Sequence, residues 1–168
     1  MEKQQLSSKN LILTYGLLLG VLTILISVIK YMTGNHLERT AIDSIIGIIL
    51  MIALIVIPIR IYKKQNNDKL SLSESIKIGL GISAVYAVIY VVYMFVFANY
   101  IEPGFVGELM DIEMQKLEGQ NMSSEQLDQA MSMMEGFMMP IMYVSILIMS
   151  LIIGLIISLI TGLVLKKE

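Results

Sequence analysis

The sequence predicts an all-α integral membrane protein, with four transmembrane helices and an amphipathic helical hairpin between the third and the fourth. Three observations predict it. Hydrophobic residues make up 56% of the 168-residue chain and charged residues 15%, more apolar and less charged than soluble domains. Four long stretches carry no charge in their interiors. The one sizeable polar segment between them, Glu102 to Met139, holds eight acidic residues against one lysine. Four crossings of about 20 residues, the length that covers a hydrocarbon core of ~30 Å, use about half of the chain, and the polar segment and short connections take up the rest. Residues 1–168 therefore read as a single membrane domain with no room for a separate catalytic module.

The first span is expected at 11–29, uncharged between Lys9 and Lys30. It is longer than the apolar region of a signal peptide and no small-residue cleavage site follows it, so it reads as a retained helix. The second is expected at 43–61. Arg60 closes it and can lay its alkyl stem along the helix while its charge stays at the interface, and Thr40 with Asp43 has capping-box spacing. The third is expected at 78–101, behind an amphipathic turn at Ser71-Leu72-Ser73-Glu74, which repeats that spacing. The fourth is expected at 141–165, anchored by Lys166 and Lys167. The chain is uncharged from Gly136 to Leu165, but Pro140 should divide this stretch, because proline suits the first turn of a helix and breaks its interior.

Orientation follows from lysine and arginine in the short flanks. The amino-terminal tail, the connection from Arg60 to Lys77 and the carboxy-terminal tail together carry nine, against Lys30, Arg39 and Lys116 on the other side. A bacterial inner-membrane protein with both termini cytoplasmic is expected, with 102–139 outside. Tyr31, Tyr62, Tyr100 and Tyr143 fall near span ends, as an interfacial aromatic belt would.

In lipid, helices associate through close backbone approach, so small residues four apart mark contact faces. Gly16 with Gly20 forms one, Gly79, Ser83 and Ala87 a second, and Ser150, Gly154, Ser158 and Gly162 a third. These faces suit a four-helix bundle, and some of the small residues in the first and fourth spans could instead serve a homo-oligomer. The second helix offers only Gly47 and is expected at the periphery.

Little in the spans carries chemistry. Charge at mid-span marks ion and proton pathways, and its absence argues against an ion-coupled pump. Tyr86, Tyr90 and Tyr93 share a helical face. They serve either as phenols hydrogen-bonding across the helices or as the wall of a groove for a lipid chain. The one histidine, His36, has no paired nucleophile, cysteine is absent, and no catalytic or nucleotide-binding motif occurs. A non-enzymatic protein without cofactor, metal or nucleic-acid partner is expected.

The outer segment is more specific. Phe105, Val106, Leu109, Met110, Ile112, Met114 and Leu117 recur at helical spacings after Glu102-Pro103-Gly104, ending near Gly119. A turn is expected at Gln120 and Asn121. Ser123 and Gln126 then cap a second helix whose apolar stripe is Leu127, Ala130, Met131, Met134, Phe137 and Met138. Nine of the fourteen methionines lie between Met110 and Met142. Thioethers can ligate Cu(I), but with no cysteine or histidine among them an adaptable apolar interface is the better reading. The candidate interaction surface is Phe105, Leu109, Met110, Leu127, Met131, Met134 and Met138.

Several segments resemble a family of small bacterial membrane proteins catalogued as domain of unknown function 4199. They are Tyr15-Gly16-Leu17, the stretch from Leu72 to Gly79, Asn99-Tyr100-Ile101-Glu102-Pro103-Gly104-Phe105, Met122-Ser123-Ser124-Glu125-Gln126 and the stretch from Gly154 to Ile160. The resemblance implies the architecture and supplies no catalytic residue. An accessory protein docking a membrane or extracytoplasmic partner through the acidic, Met-rich hairpin is the leading expectation. The alternative is a transport or flipping accessory for a lipid-linked substrate, acting through the tyrosine face among the membrane lipids.

Overall fold

The computed structural model describes residues 7–38, 40–119 and 123–167. They form α1 (Ser8–Met32), α2 (Ala41–Gln65), α3 (Leu72–Val96), a π-helical turn (Phe97–Ile101), α4 (Phe105–Glu118) and α5 (Ser124–Leu165), with no strand among the described residues. Four stretches are long and apolar enough to cross a membrane: Ser8–Met32, Ala41–Gln65, Leu72–Ile101 and Gly136–Leu165. By length and composition the chain is a multi-pass membrane protein.

Local chemistry sets the helix ends. Thr40 and Asp43 cap α2 reciprocally, each side chain bonding the other residue's backbone N–H. Ser71 and Glu74 do the same for α3, and Ser123 with Gln126 for α5. Each box satisfies two amide donors that a bare helix start leaves unpaired. The amphipathic turn expected at Ser71 to Glu74 is instead the first turn of α3 itself. At the end of α1 the Asn35 N–H bonds the Lys30 carbonyl and the Gly34 N–H the Tyr31 carbonyl. This stop needs a left-handed residue, and Gly34 has φ 73°.

Pro140 does not divide the last helix. It lies inside α5, which runs unbroken for 42 residues, about 60 Å at 1.5 Å per residue. The ring of a helical proline crowds the carbonyl four residues back, and here that residue is Gly136, whose lack of a side chain leaves its backbone freer to adjust.

The chain makes two compact units, one within residues 1–90 and 147–168 and the other within 91–146. In the first, Leu19, Met51, Leu54, Ile55, Ile59, Leu70, Ile78 and Ile82 form the apolar core. Four of these come from α2, which corrects the expectation that this helix is peripheral. Only its first half is, with Ile45, Ile48 and Ile49 about half exposed and nothing within 4 Å of where a Gly47 side chain would stand. Bulky side chains seat the second half of α2 without any small-residue stripe. In the second unit, Met94, Phe97, Ala98 and Phe105 are buried. The Phe97 and Phe105 rings meet edge to face at 5.2 Å.

Candidate functional site

The small-residue stripes of α3 and α5 lie against each other in antiparallel register. A Cβ on Gly79 would collide with Ser158, and one on Gly154 with Ser83. The same two hypothetical atoms would stand 3.2 Å from the Gly154 carbonyl and 3.4 Å from the Gly79 carbonyl. Two Gly-x-x-x-Ser segments therefore face each other head to tail, each glycine admitting the other helix's serine. One turn further toward the end of α5, a Cβ on Gly162 would come within 2.9 Å of Ser75 Cβ, and the Ser75 hydroxyl donates to the Ser158 carbonyl at 2.7 Å. The register ends where Leu70 and Lys167 exchange N–H···O bonds of 3.0 and 3.1 Å. In the other direction it leads to Ala87 and Ser150, both buried. Ser83 is wholly buried and, among the described residues, its hydroxyl has no conventional partner. It sits over Gly154 Cα, where a weak Cα–H···O contact is the available compensation.

The other side of α3 takes α1. Gly16 lies under Val85, Gly20 under Ile89, and Gly81 under Ile12, so these two helices run parallel. Further along, hydroxyls replace glycines. Ser27 Oγ and Tyr90 Oη are 3.2 Å apart, Thr23 lies near the Tyr86 phenol, and the Tyr86 and Tyr90 rings stack at 5.9 Å. Thr23 and Ser27 also bond back to the Leu19 and Thr23 carbonyls, at 2.9 and 3.1 Å. Sequence reading singled out the tyrosines and missed Thr23 and Ser27. Their four-residue spacing, matching that of Tyr86 and Tyr90, was the signal. Tyr93 belongs to the second unit, where its ring packs on Phe97 at 5.8 Å.

In the second unit the expected interaction surface divides. Phe105 is a core residue, 7% exposed, so it is not available for docking. Leu109, Met110, Leu127, Met134 and Met138 are half-buried, and Met131 is exposed. On α5 before Pro140, the most open apolar residues described are Met133 and Phe137, 67% and 61% exposed and one turn apart, and just beyond it Ile141 is 60% exposed. Glu125 and Asp128 are exposed on the same helix, as are Glu108, Asp111 and Glu113 on α4. The turn expected at Gln120 and Asn121 lies outside the described residues.

On the side of α1 that bears Lys30, charge is used structurally. Lys30 Nζ donates to Asp43 Oδ2 at 2.7 Å and also to the Glu38 carbonyl, tying the end of α1 to the capped start of α2. His36 packs edge to face on Tyr31 at 5.3 Å.

No curated protein and no solved structure matches the chain. A family model described as protein of unknown function (DUF4199) matches residues 14–167. That region holds most of α1, every other helix and the Leu70–Lys167 bridge, and the chain belongs to the DUF4199 family.

Proposed function

We propose that the chain is a non-enzymatic accessory subunit of the bacterial inner membrane: a four-helix bundle with both termini cytoplasmic and an extracytoplasmic helical hairpin over 102–139. The hairpin docks a basic partner. The observation that carries this reading is the exposure of Met133 and Phe137 on the stretch of α5 before Pro140, where Met131 is less exposed and Leu127, Met134 and Met138 are half-buried. A soluble face of this kind is a docking feature when it is apolar at its centre and charged around it. Length supports an outer position. Counted back from Lys166, about 20 residues of helix reach Ile146, and Tyr143 one turn further suits the interface. Met133 and Phe137 then stand beyond the hydrocarbon. With eight acids against one lysine in the segment, the complementary partner is an extracytoplasmic protein surface with an apolar pocket rimmed by lysine or arginine.

A photo-crosslinking residue placed at Phe137 should give a discrete protein adduct in native membranes, and one at Gly47 only lipid adducts. The adduct should fade when Glu125 and Asp128 are replaced by lysine. A Phe137 position that captures only lipid, or an adduct indifferent to the charge reversal, would reject docking. The tyrosine face is less suited to a lipid-linked substrate, because Tyr90 already meets Ser27 of α1 at hydrogen-bond distance and Tyr86 stacks on Tyr90.

A further inference from the structure

The inner end of the first unit gathers positive charge that the sequence scatters. Arg60, Lys63 and Lys64 close α2, Lys69 sits in the connection to α3, and Lys166 and Lys167 follow α5. The exchange of hydrogen bonds between Leu70 and Lys167 brings the connection and the chain's end together. Leu70 fixes this junction in depth, being fully buried in the apolar core. The connection is itself a built turn. Asn67 and Asp68 take the left-handed region at φ 52° and 61°, where asparagine and aspartate are the side-chain residues best tolerated. The Asp68 N–H reaches back to the Lys63 carbonyl at 3.0 Å, the Lys69 N–H to the Asn66 carbonyl at 3.0 Å, and the Asn66 side chain holds the Lys69 carbonyl at 3.1 Å.

Among the described residues, two carboxylates share this end. Glu74 is already engaged by the Tyr62 phenol at 2.8 Å and by the Ser71 amide and hydroxyl, with Lys77 close by. Asp68 remains against Lys69, Lys166 and Lys167, which are exposed and carry no ion pair among the described residues. Depth points to the ligand. Arg60 interrupts one apolar run and Lys166 directly follows another, so these cations stand at the level of lipid headgroups.

We propose that Lys69, Lys166 and Lys167, held together by the Leu70–Lys167 bridge, form a binding site for the phosphate of an anionic phospholipid headgroup. Ammonium groups attract phosphate as compact charges with three donors each. Backbone that is ordered before binding lowers the cost of gathering them.

The test uses the full chain in nanodiscs of mixed phosphatidylglycerol and phosphatidylethanolamine, read by native mass spectrometry. The wild type should retain phosphatidylglycerol in preference, and the K69Q/K166Q/K167Q variant should lose most of that preference, several-fold in bound ratio. The K69R/K166R/K167R variant should restore it, since charge is kept. Equal retention by wild type and the glutamine variant would overturn the site. Loss in the arginine variant equal to that in the glutamine variant would overturn the electrostatic account. Millimolar inorganic phosphate that displaces the bound lipid completely would reassign the site to a soluble phosphate ligand and overturn the lipid assignment.

Discussion

The Ser75 hydroxyl donates a 2.7 Å hydrogen bond to the Ser158 carbonyl, from one membrane helix to another 83 residues along the chain. The Ser158 carbonyl is also the acceptor position for the Gly162 amide in α5, four residues on. One oxygen therefore completes the helix and joins it to its neighbour. That is feasible only because Gly162 leaves room for Ser75, and the same economy of space governs the turns beyond it.

Gly154→Ala should destabilise the protein by about 1–3 kcal/mol, because its Cβ would overlap Ser83 in a packed interface. Gly47→Ala, with nothing within 4 Å, should be neutral or stabilising by up to ~1 kcal/mol through helix propensity. Combining Ser83→Gly with Gly154→Ala should recover more than half of the loss. Unfolding by detergent titration measures all of these, and strictly additive effects of the pair would refute the facing arrangement.

Ser27→Ala and Tyr90→Phe should show a coupling of about 0.6 kcal/mol, the average for hydrogen bonds between membrane helices. Zero coupling would mean that these hydroxyls do not join α1 to α3.

Asp43 serves twice, as the cap of α2 and as the partner of Lys30. Asp43→Ala should therefore lower the melting temperature more than Lys30→Ala. Only the Lys30 contribution should shrink in high salt, since ion pairs at exposed sites are screened and short capping bonds much less so. Equal losses from the two variants would show that the cap contributes nothing.

Cysteines placed singly at Asn66 and at Gln115 should react with an impermeant thiol reagent from opposite sides of the membrane, Asn66 only after the cell is opened. Labelling of both from the same side would defeat the charge-based orientation.

Features set by a few neighbouring residues were legible in the sequence. Three Ser or Thr caps, the four apolar runs and the extent of α4 follow from local chemistry, and the structure places helices accordingly. Pro140 was misleading because proline's rule concerns one backbone amide and one carbonyl, and Gly136 relaxes it. Phe105 was misleading because a helical stripe shows which residues share a face and not what covers that face. The half-buried methionines on α4 and α5 share that ambiguity, whereas Met133 and Phe137 stand out only once exposure is known.

The sequence by itself determined a multi-pass, all-helical chain with its charge sorted to the ends of the spans and its small residues in stripes, because hydropathy, capping and spacing are properties of contiguous residues. Only the tertiary structure decided that Gly79 meets Ser158 and Gly154 meets Ser83, that α1 takes the other side of α3, and that Lys69 and Lys167 share one end. Every small-residue stripe admits any other, so identity alone leaves register open. The choice is made by how many side chains and hydrogen bonds fit at once.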